Sequence, residues 1–292
     1  MRILNIHAHF DDFELTAGGT FERWRRKAEP GFAAKIVVCT DGAAGHQWRS
    51  REETAALRFQ EQTEAALLAG VEFELLKLHD GRPVPEGFIL SREFLAALWR
   101  TIREFEPDYL FCPPLPPETA MGVHTDHWSV AEAVRRVAYL INVPHAFSDL
   151  YPPVDGPAKF IKTPVILSVY DGYMVGANSH DLAVDVEEVF EHIAKTAFCH
   201  RSQLCEWLPW VGRHEIKGLN DLETWKPVLR SRMNRQRADL QLAPGHALEY
   251  FNVTAWGEVP SVDQLLRDLP GVDGSASALD ELRKKLGRWG VL

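Results

Sequence analysis

The sequence lacks several features that indicate particular classes of protein. Lys and Arg number 32 against 41 Asp and Glu, and the net charge of −9 argues against nucleic acid as a partner. No apolar run approaches the roughly 20 residues that span a membrane. The first predicted strand begins almost at Met1, which leaves no charged leader or apolar secretory segment. We therefore expect a cytoplasmic protein without a membrane span.

Cysteine motifs and a dinucleotide fingerprint are missing as well. The four cysteines lack the CxxC spacing of redox or zinc motifs, and those at the ends of apolar runs are expected to be buried thiols. Gly18-Gly19 and Gly42–Gly45 do not fit the G-x-G-x-x-G pattern of a dinucleotide-binding turn. A small-molecule binding protein of that kind without catalysis is therefore only a minor alternative.

Short β-rich runs alternate with helical patterns over the first two-thirds of the chain. This order predicts an α/β fold with a mostly parallel sheet and helices on both faces. We expect one domain over 1–292, with a core over about 1–205 and C-terminal elaborations over about 206–292. The predicted strands are 2–8, 34–40, 73–78, 109–112, 165–170 and an edge strand 247–253. The predicted helices are 14–27, 51–69, 91–105, 127–141, 184–204 (broken at 208–212), 220–241 and 278–289.

Polar residues follow the predicted parallel strands where each strand ends. They occur at 9–12, 40–42, 79–81 and in the segment 112–127. Ligands of such sheets bind beyond the carboxyl ends of the strands. The four groups are therefore expected to meet at one edge of the sheet, which is stronger support for a site than any single motif.

Three of these residues form a plausible set of metal ligands. His9 and Asp12 are three residues apart in a predicted turn, and His127 completes a His/Asp/His set. Imidazole nitrogen and carboxylate oxygen are good zinc ligands, and three protein ligands leave a position open for water. A catalytic zinc site has this open position, so the pattern indicates metal-assisted hydrolysis.

The neighbouring polar residues have possible roles in that chemistry. Asp11 is a spare carboxylate that can accept a proton from attacking water. His124, held by Asp126, can stay protonated and stabilise the oxyanion of a tetrahedral intermediate. A purely structural role is the alternative for these residues, since an Asp-Asp pair after a strand often caps a helix. It is the presence of both clusters that favours a metal site.

These residues resemble the PIG-L/LmbE-like deacetylase family, which includes N-acetylglucosaminyl-phosphatidylinositol de-N-acetylases. Residues 8–14, followed by Gly18-Gly19, are similar to the family's AHPDDE motif, and residues 124–127 are similar to its HPDH motif. The resemblance covers about residues 2–205. Further similarities lie at 40–42, 58–61 and 200–203.

The resemblance implies a Rossmann-like fold and the same division of roles. The His/Asp/His set would hold zinc, Asp11 would be the general base, and His124, oriented by Asp126, would stabilise the oxyanion. Phe10 and Thr125 replace the usual prolines, and Phe13 stands where the family has glutamate. None of the three is a ligand position, so the predicted metal site is retained.

Two further residues are candidates for substrate binding. Arg58 could contact a substrate hydroxyl or phosphate, or pair with Glu61 one turn along its helix. Asp80 could bind sugar hydroxyls or simply form a turn. The expected cofactor is Zn²⁺, although a two-His, one-carboxylate set also suits Fe²⁺.

The expected function is removal of an N-acetyl group from an amino sugar or its conjugate by zinc-activated water. Hydrolysis of another amide or of an ester remains an alternative at the same site. The expected partner is therefore a small N-acetylated molecule, whose sugar and aglycone the sequence does not identify.

Overall fold

The computed structural model describes residues 1–88, 90–118, 120–152, 159–174, 176–212 and 219–290. Part of the predicted C-terminal elaboration, residues 213–218 and 291–292, lies outside the described residues. No helix among the described residues is long and apolar enough to cross a membrane.

The described residues form a seven-stranded sheet flanked by helices. The strands are β1 (Arg2–His7), β2 (Ala33–Val38), β3 (Glu72–Leu75), β4 (Tyr109–Cys112), β5 (Val165–Val169), β6 (Leu182–Asp185) and β7 (Leu248–Val253). The α-helices are α1 (Gly18–Arg26), α2 (Arg51–Ala69), α3 (Arg92–Phe105), α4 (Thr125–Ala138), α5 (Phe190–Ala197), α6 (Leu208–Val211), α7 (Leu222–Asp239), α8 (Val262–Asp268) and α9 (Leu279–Trp289). A π-helix, Ser202–Trp207, immediately precedes α6.

The strand order is β3-β2-β1-β4-β5-β7-β6. The first five strands in this order pair in parallel, whereas β7 is antiparallel to both of its neighbours. One buried apolar cluster contains side chains of α3 and α4, and a second contains side chains of α1, α5 and α7. The prediction of a mostly parallel α/β sheet with helices on both faces is confirmed.

Local signals explain why α2 begins and ends where it was predicted. The Ser50 side chain accepts a hydrogen bond from the Glu53 backbone N–H, and the Glu53 side chain accepts one from the Ser50 backbone N–H. Gly70 then ends the helix with φ of 68°, a left-handed conformation that glycine adopts without a Cβ penalty. Both ends are therefore fixed by residues next to them in the sequence.

Helix α1 was predicted from residue 14 but begins at Gly18. The residues before it form turns, and Asp11 has φ of 86°, which is incompatible with a right-handed helix. A Cβ at Gly19 would lie 2.7 Å from side-chain atoms of Ile193 and Val186, so this glycine permits close packing of α1 against α5. Of the glycine pair, Gly19 therefore serves helix packing.

The C-terminal third differs from its prediction in three respects. Residues 182–185, which include the predicted start of a long helix, form β6, because they pair with β7. Strand β7 was predicted at an edge but lies between β5 and β6. The predicted break at 208–212 contains α6, which continues from the π-helix. Strand β7, which lies in the part predicted as a C-terminal elaboration, belongs to the same sheet as the strands before residue 205.

Candidate metal centre and active site

The polar clusters after β1 and β4 meet at the carboxyl edge of the sheet. His9 and Asp12 lie in the turn that follows β1, and His127 lies in the first turn of α4, after β4. Strands β1 and β4 are neighbours, and the strand order reverses between them. A crevice for ligands is expected at such a reversal point.

The three predicted ligand atoms lie at nearly equal distances from one another. Nδ1 of His9 is 3.2 Å from Nε2 of His127, and Oδ2 of Asp12 is 3.4 Å from each of these nitrogens. A tetrahedral site with zinc–ligand distances of about 2.0–2.1 Å has edges of about 3.3–3.4 Å. The donor set therefore fits one face of a tetrahedral metal site.

Two overlapping groups of side chains also bring possible ligand atoms within 4.8 Å of one another. One is His9, His124 and His127, and the other is His7, Asp12 and His127. The predicted His/Asp/His set takes members from both groups. All of these side chains surround one position in the fold, so they describe a single candidate metal centre.

Carboxylates hold the outer nitrogens of both predicted histidine ligands. Oδ2 of Asp126 lies 3.2 Å from Nε2 of His9, and Oδ2 of Asp171 lies 2.8 Å from Nδ1 of His127. Carboxylates in this position fix the tautomer and the ring orientation of metal-binding histidines. The arrangement directs His9 Nδ1 and His127 Nε2 toward Asp12.

Asp12 is held as an anion within this cluster. Burial favours the neutral acid, but His7 and His127 keep the pKa of Asp12 well below its usual range. The His9 backbone N–H also donates a hydrogen bond to Oδ2 of Asp12, at 2.8 Å. An ionised carboxylate is the form that binds a metal.

His7 is a member of the cluster that the sequence analysis did not assign. Its Nδ1 lies 2.6 Å from Oδ2 of Asp12, and its ring packs edge-on against His127 at a centroid distance of 4.8 Å. Burial lowers the pKa of His7, although Asp12 opposes this effect. The signal was available, because His7 is the last residue of β1 and so lies at the strand end where ligands bind.

Asp11 and Asp12 diverge, although they are adjacent in sequence. Asp11 lines the cavity described below, and its Oδ1 lies 3.7 Å from an Arg58 guanidinium nitrogen. The positive φ of Asp11 turns the backbone between the two carboxylates. Burial raises the pKa of Asp11 to about 6, with Arg58 acting in the opposite direction. A carboxylate with such a pKa suits proton transfer near neutral pH.

The structure differs from the sequence analysis at His124 and Asp126. The Asp126 carboxylate contacts His9 and accepts the Gly87 backbone N–H, so it does not orient the His124 ring. His124 Nδ1 instead accepts the backbone N–H of Asp126, at 3.2 Å. Burial lowers the pKa of His124 to about 4, aided by His9 and His127. Because burial and the two histidines disfavour the charged ring, the neutral form prevails at pH 7, and the N–H accepted by Nδ1 places the ring proton on Nε2.

Arg58 is buried and does not pair with Glu61. Its guanidinium donates hydrogen bonds to the carbonyl oxygens of Phe10 at 3.0 Å and Gly42 at 3.1 Å, and lies 3.2 Å from Glu86. It joins the turn after β1 to the loop after β2, at one wall of the site. Glu61 instead accepts hydrogen bonds from Ser202.

Asp80 lies in an exposed turn away from this cluster. Its carboxylate accepts hydrogen bonds from the Arg82 backbone and side chain, at 3.1 and 2.6 Å. Of the two substrate-binding candidates, only Arg58 lines the cavity at the metal centre. The structure therefore gives Asp80 the turn role, which was the alternative to sugar binding.

The cavity at the centre has a volume of about 360 Å³. Its walls contain predicted site residues together with side chains that the sequence analysis had not placed there. Behind this lining, Asp171 orients His127 and lies two residues after β5, so the same strand-end rule would have indicated it. The additional lining residues include Glu86, Tyr173, Gln203, Trp207 and Leu208.

The fold and the site define a mostly parallel α/β protein with a His/Asp cluster suited to a catalytic metal. Residues 4–138 match the family model of the GlcNAc-PI de-N-acetylases (PIG-L). This match covers a little under half of the chain and agrees with the resemblance that the sequence motifs predicted. A search of curated proteins found no match.

Solved structures share the fold over most of their length. The N,N'-diacetylchitobiose deacetylase of Pyrococcus horikoshii is 23% identical, with a TM-score of 0.64 over 87% of this chain and 84% of its own. The 4-carboxy-2-hydroxymuconate hydratase GalB of Pseudomonas putida is 16% identical, with a TM-score of 0.61 over 87% and 95%. The conserved protein TT1542 of Thermus thermophilus is 19% identical, with a TM-score of 0.58 over 86% and 93%. Because the fold includes both a deacetylase and a hydratase, function must be argued from the site.

Proposed function

We propose that the protein is a zinc-dependent N-deacetylase acting on an N-acetylated amino sugar or its conjugate. The observation that carries the proposal is the set of three donor atoms, His9 Nδ1, Asp12 Oδ2 and His127 Nε2, separated by 3.2–3.4 Å. Two of these residues, His9 and Asp12, line the same cavity as Asp11. The match of residues 4–138 to a de-N-acetylase family supports the same activity.

The two histidines and Asp12 would hold the metal. When bound, a divalent metal acts as a Lewis acid and lowers the pKa of water toward neutrality. Zinc is proposed because the N/N/O donor set and the spacing of the three atoms suit its tetrahedral coordination. Fe²⁺ is the competing metal for such a set.

Asp11 acts as the general base in this proposal. As water adds to the acetamide carbonyl carbon, the Asp11 carboxylate takes one of its protons. Transfer of that proton to the amide nitrogen lets the C–N bond break, which releases acetate and a free amine. Asp11 must therefore be ionised before the attack, as it is above its pKa of about 6.

His124 supports the oxygen of the acetamide carbonyl. Its Nδ1 accepts the backbone N–H of Asp126, so Nε2 carries the ring proton and can donate it in a hydrogen bond. A fixed donor directed at the developing oxyanion is among the largest contributions to such reactions. In this proposal the neutral ring is the active form.

The test is a product assay on protein stripped of metal and reconstituted with Zn²⁺ or Fe²⁺. N-acetylglucosamine and its β-glycosides should release acetate and primary amine in equal amounts, and the Zn²⁺ form should be active. An O-acetylated sugar of the same ring serves as the comparison, since an esterase would release alcohol without amine. Absence of amine from every N-acetyl substrate with either metal would overturn the proposal.

A further inference from the structure

The cavity at the metal centre extends to an aromatic wall that the C-terminal part of the chain supplies. Trp207 and Leu208 line the cavity together with His9 and Asp11. Trp207 is half-buried, and Trp210 stacks on it with ring centroids 5.2 Å apart and planes 26° apart. Trp210 therefore supports the Trp207 ring from one side, while Trp207 itself forms part of the cavity lining.

This wall is attached firmly to the core. Trp207 ends the π-helix, and at the start of that helix Ser202 donates its backbone N–H and its hydroxyl to buried Glu61, at 2.7 and 2.6 Å. The carboxylate of Glu206 pairs with Arg49 and lies 2.8 Å from His46. Single π-helical turns occur frequently at functional sites. The backbone that carries Trp207 is therefore held at both ends of the π-helix.

The charges around the cavity disfavour a phosphate group. Four carboxylates line it, those of Asp11, Asp12, Glu86 and Asp126. Arg58 is the one Lys or Arg side chain among the described lining residues, and its terminal nitrogens are engaged by two backbone carbonyls and Glu86. Away from the metal position, a phosphate would therefore face carboxylates without a Lys or Arg side chain that is free to pair with it.

We propose that Trp207 forms a subsite for a second, uncharged sugar ring joined to the N-acetylated sugar. This inference rests on the proposed function, because it takes the acetamide to lie at the metal centre. An aromatic ring offers an apolar face to the C–H groups of a pyranose, and the acidic surroundings accept its hydroxyl groups as donors. A phosphate-bearing aglycone would lack a complementary charge here.

Binding by calorimetry tests the subsite separately from catalysis. The Zn²⁺-loaded Asp11→Asn variant is used so that ligands are not consumed, with N-acetylglucosamine, N,N'-diacetylchitobiose and N-acetylglucosamine 1-phosphate as probes. We expect the disaccharide to bind about 3- to 10-fold more tightly than the monosaccharide, and the phosphate no more tightly. Trp207→Ala in the same background should abolish the disaccharide advantage, while its monosaccharide affinity stays within about twofold.

Two further variants distinguish loss of the contact between Trp207 and the sugar from a general effect of substitution on the protein. Trp207→Phe keeps an aromatic face and should retain part of the advantage, whereas Tyr139→Ala, at an exposed aromatic residue outside the cavity lining, should retain all of it. Equal affinity for one and two rings, or tighter binding of the phosphate, would overturn the subsite. If the disaccharide preference is found but the parent protein releases no acetate, the subsite stands and the proposed deacetylase function fails.

Discussion

Oδ2 of Asp171 lies 2.8 Å from Nδ1 of His127, whose other ring nitrogen is 3.4 Å from Asp12. One carboxylate therefore holds the ring from outside while another faces it across the candidate metal position. We predict that Asp171→Asn will weaken metal binding about 10- to 100-fold, because the amide orients the imidazole less strongly and lowers its basicity. Competition with a chromophoric chelator measures the affinity.

The matched control for this change is Asp80→Asn, which alters a carboxylate in an exposed turn outside the cavity. Its metal affinity should equal that of the parent protein. Unchanged affinity in Asp171→Asn would show that Asp171 does not support the centre.

Asp11 and Asp12 should separate into different roles when each is replaced. Asp11→Asn is expected to keep the metal but to lower kcat about 10²- to 10⁴-fold, since a general base contributes about that much. Asp12→Asn should instead lose metal. Metal content by mass spectrometry and rates of amine release distinguish the two, and loss of metal from Asp11→Asn would reassign Asp11 as a ligand.

The motif and the parallel part of the sheet were predictable because their signals are local. Ser50 and Gly70 mark the two ends of α2 within a residue or two of the helix itself. The turns after β1 and β4 reach one edge because parallel strands all point the same way. The sequence positions of His9, Asp12 and His127 were therefore enough to predict that they form one candidate site, without knowledge of any long-range contact.

The parts of the fold that were not predicted depend on contacts between distant parts of the chain. Residues 182–185 have a strand partner more than sixty residues further on, in β7, so their local pattern did not reveal β6. Glu249 of β7 accepts hydrogen bonds from the backbone of Gly19 and Thr20, both at 2.7 Å, and thereby holds the start of α1. Nothing near Glu249 in the sequence points to the motif that it supports.

His124 is expected to act as a neutral hydrogen-bond donor. His124→Ala should lower kcat about 10²- to 10³-fold, as loss of one oxyanion donor does in other hydrolases. His124→Gln retains an N–H donor and should keep more activity than the alanine variant. Both variants should bind metal normally; loss of metal from them would instead favour the His9/His124/His127 ligand group.

Arg58 is expected to stabilise the loops beside the site. Replacement by Met leaves Glu86 and two carbonyl oxygens without their partner, which should cost about 3 kcal/mol in the free energy of unfolding. Lys should not restore this stability, because it lacks the planar set of donors. Urea denaturation gives the comparison.

The control for Arg58 is Arg100→Gln, which removes an exposed pair with Glu104 one turn along α3. Such pairs contribute about 0.3–0.5 kcal/mol. An Arg58→Met variant no less stable than this control would contradict the role given to Arg58.

Glu187 joins the C-terminal part of the chain to the sheet and gives stability a defined dependence on pH. Its carboxylate accepts two hydrogen bonds from Arg230 of α7, at 2.6 and 2.7 Å, and one from the Ala247 backbone before β7, at 2.8 Å. Hydrogen bonding to Arg230 lowers the pKa of Glu187, although burial opposes this. Because the folded-state pKa is depressed, the stabilisation is present above the unfolded pKa of about 4.3 and disappears as pH falls through the folded pKa.

We therefore expect Glu187→Gln to lower the free energy of unfolding by about 0.5–1 kcal/mol at pH 7, a modest effect for a partly exposed pair. The difference from the parent protein should shrink as the pH is lowered below 4, and a difference that stays constant from pH 7 to pH 3 would show that the charge of Glu187 does not contribute.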